Sequence, residues 1–250
     1  MSLFTPSGGL VYHARAWRYR EGLWGPFRAE LQDWLERCLP PASELILVGP
    51  SAGHCLPTQL LSRFERVFIL EPDLLARRIL RSRLARARLV FEARDLMVAP
   101  LLAGGPGLDA LLERRPVASV LFCNLLGQVQ LDLSEEQQLR FQAAFKRRVL
   151  PLLAGRSWAS FHDRWSLTRD LREPSPTTLS FERLPSDAEL AAAWFGASGP
   201  PLTVVDHGAS ALFPEAWPRR YFSWQLTPQA LHVVEGVARS GAKTSADGQT

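Results

Sequence analysis

The sequence predicts an α/β fold with a doubly wound, mostly parallel seven-stranded sheet, an antiparallel C-terminal hairpin strand and an N-terminal helical extension. Three observations predict it. Short apolar runs without polar alternation recur along the chain, the pattern of strands buried on both faces. Helical segments separate these runs, so crossovers can join parallel strands. Small or polar residues follow the runs at their carboxyl ends, the edge where open α/β sheets hold ligands.

The elements follow in order. Residues 12–38 read as helical, with Trp17, Trp24, Phe27, Leu31, Trp34, Leu35 and Cys38 near three-to-four spacing from Trp24 onward. Gly25-Pro26 begins the second helix, because proline is tolerated in a first turn, and Pro40-Pro41 ends it. The tryptophans are expected to pack on the domain, and this helix pair can also cover a substrate pocket. Glu44 to Val48 is a buried strand ending at Gly49, and residues 56–64 read as a helix. Arg66 to Leu70 is the second strand, 73–86 a helix and Arg88 to Glu92 the third strand. A loop at Gly104 to Gly107 precedes a short helix at 108–114 and a fourth strand, Val117 to Cys123. Ser134 caps a long helix with Glu135 and Glu136 in its first turn, and Ser157 to Phe161 is the fifth strand. Residues 172–186, rich in Pro, Ser and Thr, read as a surface loop. Asp187 to Phe195 is a helix and Leu202 to Val205 a strand. Tyr221 to Leu226 and Leu231 to Val237 flank a Thr227-Pro228-Gln229 turn. The expected organisation is an N-terminal helical extension (1–43), one Rossmann-like domain (44–238) and a small, polar, disordered tail (239–250).

A chain of 250 residues, 46 % hydrophobic and 22 % charged, is compatible with one domain that buries a core. No stretch reaches the roughly 18 apolar residues of a membrane span. Residues 1–9 lack a basic segment followed by an apolar run, so no signal peptide is expected and the cytoplasm is the expected location. Cys38, Cys55 and Cys123 are far apart and form no paired motif, so neither a disulfide framework nor a metal site is expected. The formal charge of +4 invites nucleic acid. Yet Lys146 and Lys243 are the only lysines, and Arg77, Arg78, Arg81, Arg83, Arg86 and Arg88 spread around one helix and its exit. A solvated face is favoured there, and steep salt dependence would mark the alternative.

The candidate site gathers at one sheet edge. Gly49-Pro50-Ser51-Ala52-Gly53-His54 is a turn of small residues that lets a ligand approach the backbone and aims a helix N-terminus at it. Glu71 follows the second strand about 20 residues later, where a carboxylate can accept from a ribose diol. Asp95 follows the third strand and can accept from an exocyclic amine, with Leu96 packing on a base. Asn124 follows the fourth. His54, His162 and Asp163 are candidate bases or orienting groups beyond their strands, and His207 is a weaker one; His162-Asp163 is the preferred pair.

On these residues the chain resembles the class I S-adenosylmethionine-dependent methyltransferases, over roughly residues 44–165 and into the closing strands. The resemblance implies that Gly49, Ser51 and Gly53 cradle the methionine part of the cofactor, that Glu71 holds its ribose and Asp95 its adenine amine, and that Asn124 faces the sulfonium and the substrate. It also implies the closing antiparallel strand. The sequence departs from the family pattern in three places: Leu47 stands for the acid that meets the cofactor's amino group, Ser51 for the middle glycine, and Pro50 lacks an N–H. Asn124-Leu125-Leu126 lacks the Pro-Pro-aromatic run of nucleic-acid amino methyltransferases, so a small-molecule acceptor is expected. Two other classes stay open. A non-catalytic methyltransferase-like scaffold would explain the altered loop. An NAD(P)-dependent oxidoreductase would share the turn and the ribose acid, although Ser51 and His54 stand where its glycines should be. Trp165, Trp194 and Arg169 hint at an aromatic or acidic acceptor.

Overall fold

The computed structural model describes residues 9–84, 88–168, 177–196 and 204–241. Arg86, Arg169, residues 172–176 and 202–203, and the tail from 242 lie outside the described residues. β1 (Ala42–Val48), β2 (Phe64–Leu70), β3 (Leu89–Glu92), β4 (Ser119–Cys123) and β5 (Trp158–Thr168) form a parallel half-sheet in the order 3-2-1-4-5. β4 and the last four residues of β1 are wholly buried, which is why neither run alternates.

Beyond β5 the sheet reverses direction. β9 (Ala230–Arg239) pairs antiparallel with β5, β8 (Arg219–Thr227) with β9, and β6 (Thr178–Phe181) with β8. This supplies the expected closing hairpin and departs from the all-parallel 3-2-1-4-5-6 order of dinucleotide-binding sheets. The described strands make one nine-stranded sheet rather than a seven-stranded one. One addition is β6, inside the stretch read as a surface loop; its pairing with β8 is long-range and leaves no local signature. β7 (Val204–Asp206), which overlaps the strand expected over Leu202 to Val205, pairs with β5.

Helices cover both faces. α1 (Gly9–Tyr19), α2 (Gly25–Cys38), α3 (Thr58–Leu61) and α4 (Leu74–Arg83) contribute to the core on one side. α5 (Val98–Ala103), α6 (Leu108–Arg114), α7 (Leu125–Leu131) and α8 (Glu135–Ala144) cover the other. α9 (Asp187–Phe195) packs on a third cluster with Trp165 and Tyr221. Two of the three N-terminal tryptophans pack on the domain as expected: Trp34 meets Phe222 and buried Trp24 donates its Nε1–H to Leu226 O at 3.1 Å, with Phe27 stacked on Trp224, whereas Trp17 is 88 % exposed because it lies on the outer face of α1. Ser134 caps α8 with a reciprocal capping box through Gln137. None of the helices among the described residues is long and apolar enough to cross a membrane.

The expected helix over 56–64 shrinks to the four residues of α3, because extended Pro57 delays its start and Phe64 already belongs to β2, opposite Ala42. α5 and α7 carry no sequence signal of their own, being short turns fixed by what they pack against.

One mismatch in strand length shapes the molecule. β4 last pairs at Cys123 opposite Phe161, while β5 runs on to Thr168. β7 takes up the vacated edge at Trp165–Leu167. The upper halves of β5 and β9 therefore stand above the parallel sheet, and α7 packs against β5. Its closest approach is at Gly127, where a Cβ would lie 2.8 Å from the Asp163 carbonyl oxygen. Because backbone cannot yield there as a side chain can, Gly127→Ala is expected to destabilise the protein by about 1–3 kcal/mol. Urea denaturation of wild type and variant measures this, and an unchanged midpoint would refute the close approach.

Candidate functional site

The loop after β1 turns on three left-handed residues in alternation: Gly49 at φ +63°, Ser51 at φ +50° and Gly53 at φ +64°. Two glycines reach this conformation freely, but the serine does so at a cost of about 1 kcal/mol. The loop is internally bonded. Gly49 N donates to Leu70 O, Ser51 N to Glu71 Oε2 at 2.8 Å, and Gly53 N to Pro50 O. No long helix follows, so the expected helix N-terminus aimed at a ligand is replaced by these turns and the four-residue α3.

Glu71 is buried, and its second oxygen accepts from Asp73 N at 3.0 Å. Burial pushes its carboxyl above the ordinary value, outweighing the two backbone N–H groups that hold it down. Asp95 is exposed and opens α5: Oδ1 accepts from Met97 and Val98 N–H, and Oδ2 from Ala99. Leu96 is half-buried beside it and packs on the core. Leu47 is fully buried, so no polar group stands in for the acid absent there.

Asn124 is the second non-glycine residue held left-handed, at φ +49°. Its amide clasps β5: Nδ2 donates to Asp163 Oδ2 at 3.1 Å, and Oδ1 accepts from Asp163 N at 2.8 Å. Gln128, one turn along α7, donates to the same Oδ2 at 2.6 Å. Asp163 Oδ1 lies 3.1 Å from Nδ1 of His232 on β9. Burial alone would raise this fully buried carboxyl, but His232, His207 and the Asn124 amide hold it below its ordinary value.

A cavity of about 430 Å³ opens above this cluster. Asn124, Gln128, Asp163 and His232 form its polar end. Tyr12 and Trp224 contribute aromatic walls, Leu131, Leu167 and Leu226 apolar ones, and Arg15 lines it from α1. The N-terminal helix thus provides the cover expected of it. Asn124, Asp163 and the weaker candidate His207 are the sequence-predicted site residues that line this cavity. Gly49, Ser51, Gly53, Glu71, Asp95 and Leu96 stand elsewhere along the carboxyl edge of the sheet.

His162, one half of the preferred pair, points the other way, because consecutive strand residues face opposite sides of a sheet. It is fully buried, with Nδ1 3.0 Å from Ser160 Oγ and Nε2 3.3 Å from Glu235 Oε1, and its ring stacks on Phe213. Glu235 also meets Arg219 at 3.1 Å and accepts from Ser210 and Tyr221. This cluster is structural. His54 is buried in the loop, between Arg83 Nη1 and His13 Nδ1, each 3.2 Å away. Burial first and Arg83 second bring its pKa down to about 3. His207 lines the cavity, with Nε2 3.0 Å from Ser166 Oγ. Sequence reasoning missed His232, Tyr12, Arg15 and Trp224; the one available signal was a histidine interrupting an apolar strand.

The arginines of α4 form no single stripe: Arg83 turns inward to Ala52 O, and Arg81 lies over the Phe91 ring. Cys55 and Cys123 are buried, and burial pushes the Cys55 thiol up to about 12, far from a reactive thiolate.

No protein-family model matches the sequence, and no curated protein matches it significantly. Solved structures do resemble it. The N-methyltransferase NodS from Bradyrhizobium japonicum WM9 is 14 % identical, with 86 % of this chain and 97 % of that one covered and a TM-score of 0.42. Its complex with S-adenosyl-L-homocysteine is 13 % identical over 88 % and 91 %, at 0.41. The amino pentose methyltransferase CalS10 from Micromonospora echinaspora, bound to S-adenosylmethionine, is 19 % identical over 94 % and 98 %, at 0.40.

The Glu235 cluster makes stability depend on pH. Burial opposes ionisation of Glu235, but His162, Arg219 and Ser210 outweigh it and bring the pKa from 4.5 down to about 2. A depressed carboxylate contributes stability that is complete above its unfolded pKa and lost as pH falls through the folded one. Denaturant midpoints are therefore expected to fall between pH 4.5 and 2. In Glu235→Gln that part of the fall should vanish, and the variant should be less stable at pH 7 by about 3–5 kcal/mol, since Arg219 keeps a buried charge without its partner. Parallel pH profiles for variant and wild type would contradict this.

Proposed function

We propose that this chain transfers a methyl group from S-adenosylmethionine to a small molecule bound in the cavity. The observation that carries the reading is the backbone of the first loop. Residues 49, 51 and 53 keep the left-handed alternation of a glycine loop even though Ser51 is not glycine. Strain of this kind is retained where the surrounding structure or a ligand requires the shape, and here it sits at the carboxyl end of a central strand. In this reading Gly49, Ser51 and Gly53 face the methionine part, and Glu71 holds the ribose. Asp95 and Leu96 receive the base, and Asn124 separates the cofactor from the acceptor.

The donor set fits such a group. Each Glu71 oxygen has given one lone pair to a backbone N–H and keeps another for a hydroxyl. Donation from a diol would also relieve the burial that pushes this carboxyl up. Asp95 Oδ2 has a single backbone partner and can accept from an amine. When bound, the cofactor supplies an electrophilic methyl group on a sulfonium. The protein's task is then alignment and water exclusion. Asn124 is anchored at both ends of its amide, and α1 closes over the cavity.

A second reading is a binding module without turnover. It is supported by the packing around the loop, where a Cβ on Gly49 would lie 2.7 Å from that of Leu125 and one on Gly53 would lie 2.5 Å from a Leu80 methyl. Fully buried Leu47 offers nothing to an amino group.

Calorimetric titration with S-adenosylmethionine and S-adenosylhomocysteine separates the two. Micromolar binding by wild type, weakened at least about tenfold in a folded Glu71→Ala variant, is the expected result. Folded protein that binds neither ligand would overturn the methyltransferase reading and leave the module.

A further inference from the structure

We propose that the cavity takes a small aromatic hydroxy acid, its hydroxyl on His232 Nε2 and its carboxylate on Arg15, and that His232, positioned by Asp163, receives the hydroxyl proton. The inference names the acceptor class and rests on reading the cavity as the acceptor site.

The protonation pattern of His232 follows from its neighbours. Asp163 is an ionised carboxylate and can only accept, with Oδ2 already engaged by Asn124 and Gln128. In the proposed arrangement the proton sits on Nδ1, the nitrogen 3.1 Å from Oδ1. Nε2 is left with a lone pair and has no hydrogen-bond partner among the described residues. An imidazole fixed in this tautomer by a buried carboxylate accepts a proton at its far nitrogen, and the carboxylate stabilises the cation that forms. His207, whose ring centre lies 6.2 Å from that of His232, does not compete: its Nε2 faces Ser166, and burial lowers its pKa.

Two of the remaining polar groups, Arg15 and Trp224, offer donors to an acidic ligand; exposed Asp132 is the second carboxylate lining the cavity beside Asp163. Arg15 is half-buried, lines the cavity and has no carboxylate partner among the described residues. Trp224 is 3 % exposed, and its Nε1–H has no acceptor among them. The donors of Arg15 and Trp224 suit an oxyanion and the Nε2 lone pair of His232 suits a hydroxyl, while His207 Nδ1 is a further unpartnered atom at the cavity. Tyr12, Trp224 and the leucines supply surface for a ring. Of the aromatic groups hinted at by the sequence, Trp165 and Trp194 are buried in the third core cluster instead. In the proposed step the ligand's O–H bond breaks and an N–H bond forms at Nε2, leaving an imidazolium beside Asp163 and a phenolate oxygen as nucleophile.

The test is calorimetric binding of the three hydroxybenzoate isomers, benzoate and phenol to the full chain without cofactor. At least one isomer should bind about tenfold tighter than benzoate or phenol. His232→Gln should reduce that isomer to the benzoate level while benzoate binding holds. Arg15→Gln should reduce it to the phenol level while phenol binding holds. Nitrogen-15 NMR should find His232 as the Nδ1–H tautomer, and Asp163→Asn should shift it to Nε2–H, a change that a merely structural role for Asp163 would not require. No binding by any isomer, or equal losses for hydroxybenzoate and benzoate in His232→Gln, overturns the inference. Because the titrations omit S-adenosylmethionine, that failure leaves the cofactor titration, and the reading it tests, untouched.

Discussion

The clasp between Asn124 and Asp163 is the contact on which the upper half of the molecule depends. β4 stops at Cys123 while β5 continues, so the chain must leave the sheet without exposing the edge of β5. Asn124 does this with a left-handed turn, its backbone N–H on Phe161 O and its amide on both the backbone and side chain of Asp163. The turn starts α7 directly against β5, and Gly127 permits backbone contact there. The same contact supplies the donors that make a fully buried carboxylate tolerable, since an unpaired charge at that depth would cost several kcal/mol. Chain path and electrostatics are thus solved by one pair of side chains.

β5 divides its labour by alternation. His162 faces a closed cluster in which Glu235 binds Arg219, Ser210 and Tyr221. Asp163 faces Asn124, Gln128, His232 and the cavity. Both clusters are buried anions with imidazole partners, and what separates them is access. The Glu235 side is fully buried away from the cavity, whereas on the Asp163 side His232 lines it.

The first loop and α1 form a second coupled unit. Arg83 can only donate, so His54 Nδ1 accepts from it and Nε2–H donates to His13 on α1. Tyr12, the neighbour of His13, lies 3.6 Å from Cys55 and lines the cavity. With the pKa of His54 brought down to about 3, both imidazoles stay neutral near pH 7 and the bridge is kept. The shape of the strained loop and the cover over the cavity therefore reach each other through a short hydrogen-bonded chain.

The parallel half of the sheet was legible in the sequence because strands buried on both faces read as unbroken apolar runs. Glycine punctuation, the Ser134 cap and the prolines bounding α2 are also local signals, and local signals survive in one dimension. So are the polar residues at strand ends, which is why Glu71, Asp95, Asn124 and Asp163 could be named. Their partners could not. β6 exists through a pairing with β8 that no local pattern records, and the pairing of β7 with β5 was not legible either. The choice of Asp163 over His162 depends on which face of β5 meets α7. His232, Trp224, Tyr12 and Arg15 come from opposite ends of the chain, and only the closing strands and α1 bring them to one cavity. The sequence by itself determined the layers and which polar residues end the parallel strands, because burial and chain direction follow from periodicity. The tertiary structure decided which side chains come together, because strand register and helix approach are set by contacts between residues far apart in the chain.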